Sequence, residues 1–219
     1  MQGLEFSEVL PYWSVLVKGT LWTVVLTTSS IFLSLLGGMV FALCRLTDNK
    51  WLSVPVQLFR ALLMGTPLLL QLFLVYFGLV QIGIDIPALI AGILALSLHY
   101  AVYNADIFGA GIAAVEVGQT ESARSVGFSW FQTMRYVVIP QAVRNTMPAI
   151  GGGLIALLKD SAVVSVIGVN ELIQGSQRAI SETFRPFEFY VTAAMIYYLL
   201  NLFLEAALRA TEKKVELTR

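Results

Sequence analysis

Hydrophobic residues in this chain run in long blocks, not in the short alternations of a half-buried strand. Five blocks stand out, at about residues 19–44, 68–82, 88–115, 149–169 and 188–208. A helix needs about 20 apolar residues to cross a bilayer, and each block is read as one membrane span. Thr23, Thr27, Thr28, Ser29, Ser30 and Ser34 of the first block can bond back to their own helix carbonyls, so lipid tolerates them. Gly37-Gly38 predicts close approach by another helix. Residues 51–63 predict an amphipathic helix at the inner surface. Met64-Gly65-Thr66-Pro67 predicts a bend before the second span, because proline disfavours helical geometry at the residue before it. Residues 1–16, with Glu5, Glu8, Tyr12 and Trp13, suit a short interfacial segment, and residues 170–187 a polar outer connection. The longest polar interruption is residues 119–148, a loop in which Glu121 to Val126 form a short helix. Gly127 stops that helix, since glycine takes the left-handed conformation without penalty. The expectation is one all-α, integral-membrane domain over residues 1–219.

Composition strengthens this picture. Mean hydropathy is +0.77, and 57% of residues are hydrophobic against 13% charged, which argues against a soluble enzyme. The formal net charge is zero, so no basic footprint for nucleic acid is present and no nucleic-acid partner is expected. The single cysteine, Cys44, allows no intrachain disulfide. Glu5 and Glu8 occupy the region that would be basic in a cleavable signal peptide, so none is expected. Cations set the orientation. With the N-terminus outside and five spans, Arg45, Lys50, Arg124, Arg135, Arg144, Arg209, Lys213, Lys214 and Arg219 lie inside, and Lys18, Arg178 and Arg185 outside. The C-terminus is then cytoplasmic. Glu205 and Arg209, four apart, are expected to pair.

The candidate chemistry sits within the spans. A charge at mid-bilayer costs about 3 kcal/mol on insertion scales, so intramembrane ionisable groups point to function. Lys159 and Asp160 lie in the fourth span and point roughly 100° apart around the helix, which leaves each free to address another group. An amino acid zwitterion carries the complementary charges. Asp106 and Asn104 of the third span are candidates for an ammonium or side-chain contact, with Tyr103 as a wall. The competing reading is structural: Lys159 neutralises Asp106 or Asp160 across a helix interface. His99 reads as a packed or interfacial histidine, and no second His or Cys offers metal spacing, so no metal site is expected. No catalytic pair stands out, and no enzymatic role is expected. The chain has no Gly-x-x-x-x-Gly-Lys-Ser/Thr loop, so any ATP hydrolysis belongs to a partner.

The loop carries a more specific signal. Glu121-Ser122-Ala123 is followed after three residues by Gly127, and after nine more by Val137-Val138-Ile139-Pro140. This resembles the EAA loop of ABC importer permeases of the type I fold. Further segments resemble their polar amino acid branch: Gly19-Thr20-Leu21, the run from Gly65 to Phe73, the run from Tyr103 to Ile112, and Leu157-Leu158-Lys159-Asp160-Ser161. Met64, Gly109 and Gly152-Gly153 depart from the branch, which often has Arg, Arg and Asn-Glu there.

The resemblance implies a permease subunit of an ATP-driven amino acid importer in the bacterial inner membrane. It pairs with itself or a homologous permease. Two ABC ATP-binding subunits, which hold ATP and Mg, grip the loop; this chain needs no cofactor of its own. A periplasmic or lipid-anchored binding protein delivers the substrate. Glu121, Ser122, Ala123, Gly127 and Pro140 become the coupling residues, and the aromatics Phe128, Trp130 and Phe131 either help seat the helix on the ATPase or lie in the interface. Two alternatives stand beside this reading: a permease of the same architecture for another small solute, and a channel or transporter working without ATP.

Overall fold

The computed structural model describes residues 4–47 and 49–216, with side chains through residue 213. Among them there is no strand. The helices are α1 (Trp13–Leu46), α2 (Lys50–Met64), α3 (Leu68–Gln81), α4 (Ala88–Ala113), α5 (Val117–Ser125), α6 (Trp130–Ile167), α7 (Leu172–Thr183) and α8 (Pro186–Glu216). A 3-10 turn, Phe6–Tyr12, leads into α1. Four helices, α1 with its leading turn, α4, α6 and α8, are long and apolar enough to cross a membrane; α2 and α3 together make a fifth if the bent pair is one span.

α1 and α4 form the axis. Gly38 is the reason they meet closely: a Cβ there would lie 2.8 Å from Asn104 Cβ and 3.0 Å from the Ala101 carbonyl oxygen. The expected small-residue contact at Gly37-Gly38 is thus present. Of the α1 hydroxyls expected to bond back, Thr23, Thr28 and Ser34 donate to carbonyls three or four residues back, as does Thr20, whereas the buried Thr27 and Ser30 hydroxyls have no partner among the described residues. Leu26 of α1, Leu72 of α3, Leu96 and Tyr100 of α4, and Leu157 and Val164 of α6 form one buried apolar cluster that holds these helices together.

The break before the second span falls at Gly65–Pro67, where the chain turns by 112° between α2 and α3. Gln71 fixes it. Its amide nitrogen donates to the carbonyls of Leu63 at 2.6 Å and Thr66 at 3.0 Å, satisfying groups that the end of a helix leaves open. Expected boundaries shift elsewhere. The helix around the first span starts at Trp13, and the last one covers Pro186–Glu216. Glu205 and Arg209 do pair within it, at 3.4 Å; the side chains of Lys214 and Arg219, counted above with the inner cations, lie outside the described residues.

The main revision concerns residues 130–148, expected as part of the loop. They are helical and continuous with the fourth span. Ser129 starts α6 with a capping box: its Oγ accepts from the Gln132 backbone N–H, and the Gln132 side chain accepts from the Ser129 N–H. Pro140 does not end this helix. A π-helical turn, Met134–Val138, precedes it. Proline lacks an N–H and its ring crowds the carbonyl four residues back, here that of Tyr136; the wider turn accommodates both.

The connection before α8 also contains a helix, α7, capped by a buried acid. Glu171 accepts from the backbone N–H groups of Ile173 at 2.9 Å and Gln174 at 2.8 Å, and from Tyr197 Oη at 2.9 Å. Burial pushes its carboxyl above the ordinary Glu range, in spite of these donors. The folded chain therefore holds that proton more tightly than the unfolded chain. Its stabilising contribution is full below the ordinary Glu value and declines as pH rises from there towards the folded value. Glu171→Gln removes this titration. The thermal midpoint in micelles, followed from pH 4.5 upwards, should fall less steeply in the variant; equal slopes would count against the assignment.

Candidate functional site

α4 carries the polar residues, and its 3.6-residue turn distributes them over two faces. His99, Tyr103 and Asp106 are spaced i, i+4, i+7 and share one face. Tyr100 and Asn104 point to the neighbouring one.

Three clusters result. In the first, Tyr100 Oη donates to Asp160 Oδ2 at 2.7 Å, joining α4 to the end of the regular α-helical part of α6. The His99 ring stands edge-on to Tyr100, with centroids 5.3 Å apart, and its Nδ1 lies 3.1 Å from Gln71 Oε1. Gln71, His99, Tyr100 and Asp160 thus make a continuous polar row from the α2–α3 bend across α4 to α6. Gln71 and His99 enter this row through packing, not spacing; the polar residues flanking Asp106 in sequence gave no sign of it.

In the second cluster, Asn104 is fully buried and its amide donates to Ser34 Oγ of α1 at 3.3 Å. Tyr103 beside it is 42% exposed. Its ring lies over Gly153, where a Cβ would come within 2.9 Å. A side chain at position 153 would have to displace Tyr103, so the glycine and the tyrosine are fitted to each other.

The third cluster is ionic. Asp106 accepts from Arg45 Nη1 of α1 and from Arg60 Nε of α2, the latter at 2.7 and 2.9 Å. Asp106 is engaged by two guanidiniums at once, which are its partners in place of the proposed Lys159. Sequence reasoning left Arg60 without a role; its position on the α2 face opposite the apolar stripe was the available signal.

Lys159 turns the other way. It is exposed and lines a recess of about 250 Å³ with Ile173 of α7 and Tyr190 and Tyr197 of α8. It makes no ion pair among the described residues. Lys159 and Asp160 are adjacent in sequence but address different helices.

Glu121 to Gly127, expected from the resemblance to couple to an ATPase, lie on a separate surface. α5 begins at Val117, four residues earlier than expected, and exposes Glu121, Ser122 and Arg124 while burying Ala123. It ends in a full Schellman motif: the Phe128 N–H donates to the Ala123 carbonyl at 3.1 Å and the Gly127 N–H to the Arg124 carbonyl at 3.0 Å. Gly127 has φ +91°, the left-handed region. Val126, Trp130 and Phe131 stand exposed beside this end, and Phe128 packs edge-on to Tyr136.

Known proteins give this geometry a context. The family model of the binding-protein-dependent transport system inner membrane component matches residues 34–217. The chain is 35% identical to the arginine transport system permease protein ArtQ of Bacillus subtilis (strain 168), over 98% of each chain. It is 33% identical to a putative glutamine transport system permease protein GlnP of Rickettsia bellii, over 97% of this chain and 96% of the relative. A solved structure, a crystal structure of an amino acid ABC transporter with histidines, superposes with a TM-score of 0.89 at 38% identity, covering 97% of this chain and all of that one. An inward-facing form of the MetNI methionine ABC transporter superposes at 0.78 with 23% identity, a likeness of fold.

Proposed function

The chain belongs to the family of binding-protein-dependent transport system inner membrane components, and from that premise we propose that it is the membrane-spanning permease of an ATP-driven importer of amino acids. The observation that carries the reading is the surface around α5. A short helix bearing exposed Glu121 and closed by Gly127 at φ +91° rests on the start of α6 with exposed apolar side chains beside it. Such a capped, exposed helix suits insertion into a soluble partner.

In this proposal the chain makes five spans, with α2 and α3 as one of them, the N-terminus outside and the C-terminus inside. Two copies, or this chain and a homologue, enclose the pathway; exposed Met195, Tyr198, Leu199 and Phe203 of α8 suit lipid or a neighbouring span. Two ATP-binding subunits hold ATP and Mg and grip Glu121, Ser122, Ala123 and Gly127, while Pro140 shapes the wide turn that carries α5's exit into α6. A binding protein delivers the solute to the outer face. Asp160, oriented by Tyr100, receives the ammonium group; exposed Tyr103 lines its approach, Asn104 stands behind it bonded to Ser34, and Lys159 offers a positive charge on the adjoining face of α6. ATP acts through contacts that differ between the inward-open and outward-open states.

The test is ATP hydrolysis by the co-expressed complex in lipid, with its binding protein, screened against the twenty amino acids. Stimulation by one or a few is expected. A firmly bound ATPase with no stimulation by any of them would overturn the amino acid assignment, and failure of any ATPase to bind would overturn the importer.

A further inference from the structure

α4 is 26 residues long, about 39 Å at 1.5 Å per residue, against a hydrocarbon core of about 30 Å. Asp106 lies seven residues before its end, and Arg45 is the penultimate residue of α1. The ionic cluster therefore sits towards the membrane boundary at the end of the bundle where α5 emerges. It shares the α4 face of His99 and Tyr103, roughly 10 Å beyond the first and roughly 5 Å beyond the second.

Both arginines turn away from the apolar surface of their helices. α2 exposes Trp51, Val54, Leu58 and Leu62, spaced i, i+3, i+7, i+11 along one stripe. Arg60 lies two residues from Leu58 and from Leu62, roughly 200° round the helix from each. On α1 the exposed stripe is Phe32, Leu36 and Val40, and Arg45 is roughly 140° beyond Val40. The cluster thus faces the same side as the polar row and not the apolar outer surface.

Its charge does not balance. One carboxylate meets two guanidiniums, leaving one positive charge in excess. Arg45 uses Nη1 and Arg60 uses Nε on Asp106, and among the described residues their other nitrogens have no protein partner. The side chains remain 30% and 41% exposed. Two guanidiniums fixed side by side with spare donors match the geometry of a carboxylate.

We propose that Arg45 and Arg60, held in place by Asp106, form a second station for the carboxylate of the transported amino acid, on the cytoplasmic side of the Asp160 row. This rests on the importer reading. The site receives the solute as it leaves and, when the inner concentration is high, binds it from inside.

The experiment uses the assembled complex in proteoliposomes, with ATPases and ATP inside and binding protein outside. Uptake of the labelled amino acid that stimulates hydrolysis is followed while the lumen is preloaded with that amino acid or with its decarboxylated amine. The lumenal amino acid should slow uptake and the amine at equal concentration should not. Arg60→Gln should raise the half-inhibiting lumenal concentration about tenfold or more. Asp106→Asn, which frees both guanidiniums, should lower it. A purely structural cluster would move both variants the same way, and that result, or inhibition by the amine, or no lumenal inhibition at all, would overturn the site. Should Arg60→Gln not assemble, Arg45→Gln takes its place, with the contrast to Asp106→Asn unchanged. Wild-type vesicles that take up none of the twenty amino acids would overturn the importer reading itself.

Discussion

Asp160→Asn should cut amino acid uptake by about a hundredfold, the equivalent of roughly 3 kcal/mol for a charged hydrogen-bonding group. The substitution is nearly isosteric. An asparagine oxygen can still accept from Tyr100 Oη, which now donates at 2.7 Å, so the helix contact survives and only the charge is lost. Assembly with the ATPase and the thermal midpoint should stay close to wild type. Lys159 supplies the comparison. Its side chain lies in the recess beside Tyr190 and Tyr197, on the face of α6 adjoining the one that meets Tyr100. Lys159→Met should therefore reduce uptake by less than Asp160→Asn does. Initial uptake rates over a range of external concentrations check both. A larger loss from Lys159→Met would move the solute into the α7–α8 recess, and normal uptake by Asp160→Asn would remove Asp160 from the pathway.

Gly127→Val should disconnect ATP hydrolysis from transport. The space around Gly127 is open, with no heavy atom within 4 Å of a Cβ built there, so crowding is not the difficulty. The backbone is. A β-branched residue at φ +91° costs about 1–3 kcal/mol, and relieving it breaks the two hydrogen bonds that close α5. The turn touches the bundle only through the Phe128 contact with Tyr136 at the start of α6, so the permease should still fold and sit in the membrane. The coupling surface should lose its shape. The readout is solute-stimulated ATPase activity per molecule transported, for Val, Ala and Asn at this position. Asparagine tolerates the left-handed region, so coupling should fall in the order Asn, Ala, Val. An Asn variant as uncoupled as Val would show that flexibility, not the left-handed turn, is what the position supplies.

The short helix α5 and its stop at Gly127 were legible because they are local. Gly127 after a short helical run specifies a left-handed cap whatever the rest of the chain does, and the bend at Gly65–Pro67 is started by proline sterics and held by Gln71, only a few residues away. The apolar blocks marked the spans for a similar reason: lipid selects on hydropathy along a segment, without reference to neighbours. The start of α6 is also written locally, in the Ser129–Gln132 capping box, but the polar residues after it predict loop. Polarity along residues 130–148 describes solvent or partner contact and not backbone geometry, and the turn Met134–Val138 lets Pro140 stay within a helix.

The sequence by itself determined that this is an all-helical membrane chain with a short helix closed by Gly127 between its apolar spans, since hydropathy, glycine and proline act over a few neighbouring residues. Only the tertiary structure decided which charges meet. Asp106 is paired with Arg45 and Arg60, 61 and 46 residues away in the chain, and Asp160 with Tyr100, 60 residues away. Buried charges take their partners from whichever helices pack against them. That choice depends on contacts such as Gly38 against Asn104, which bring distant turns to within van der Waals distance and leave no trace in local spacing.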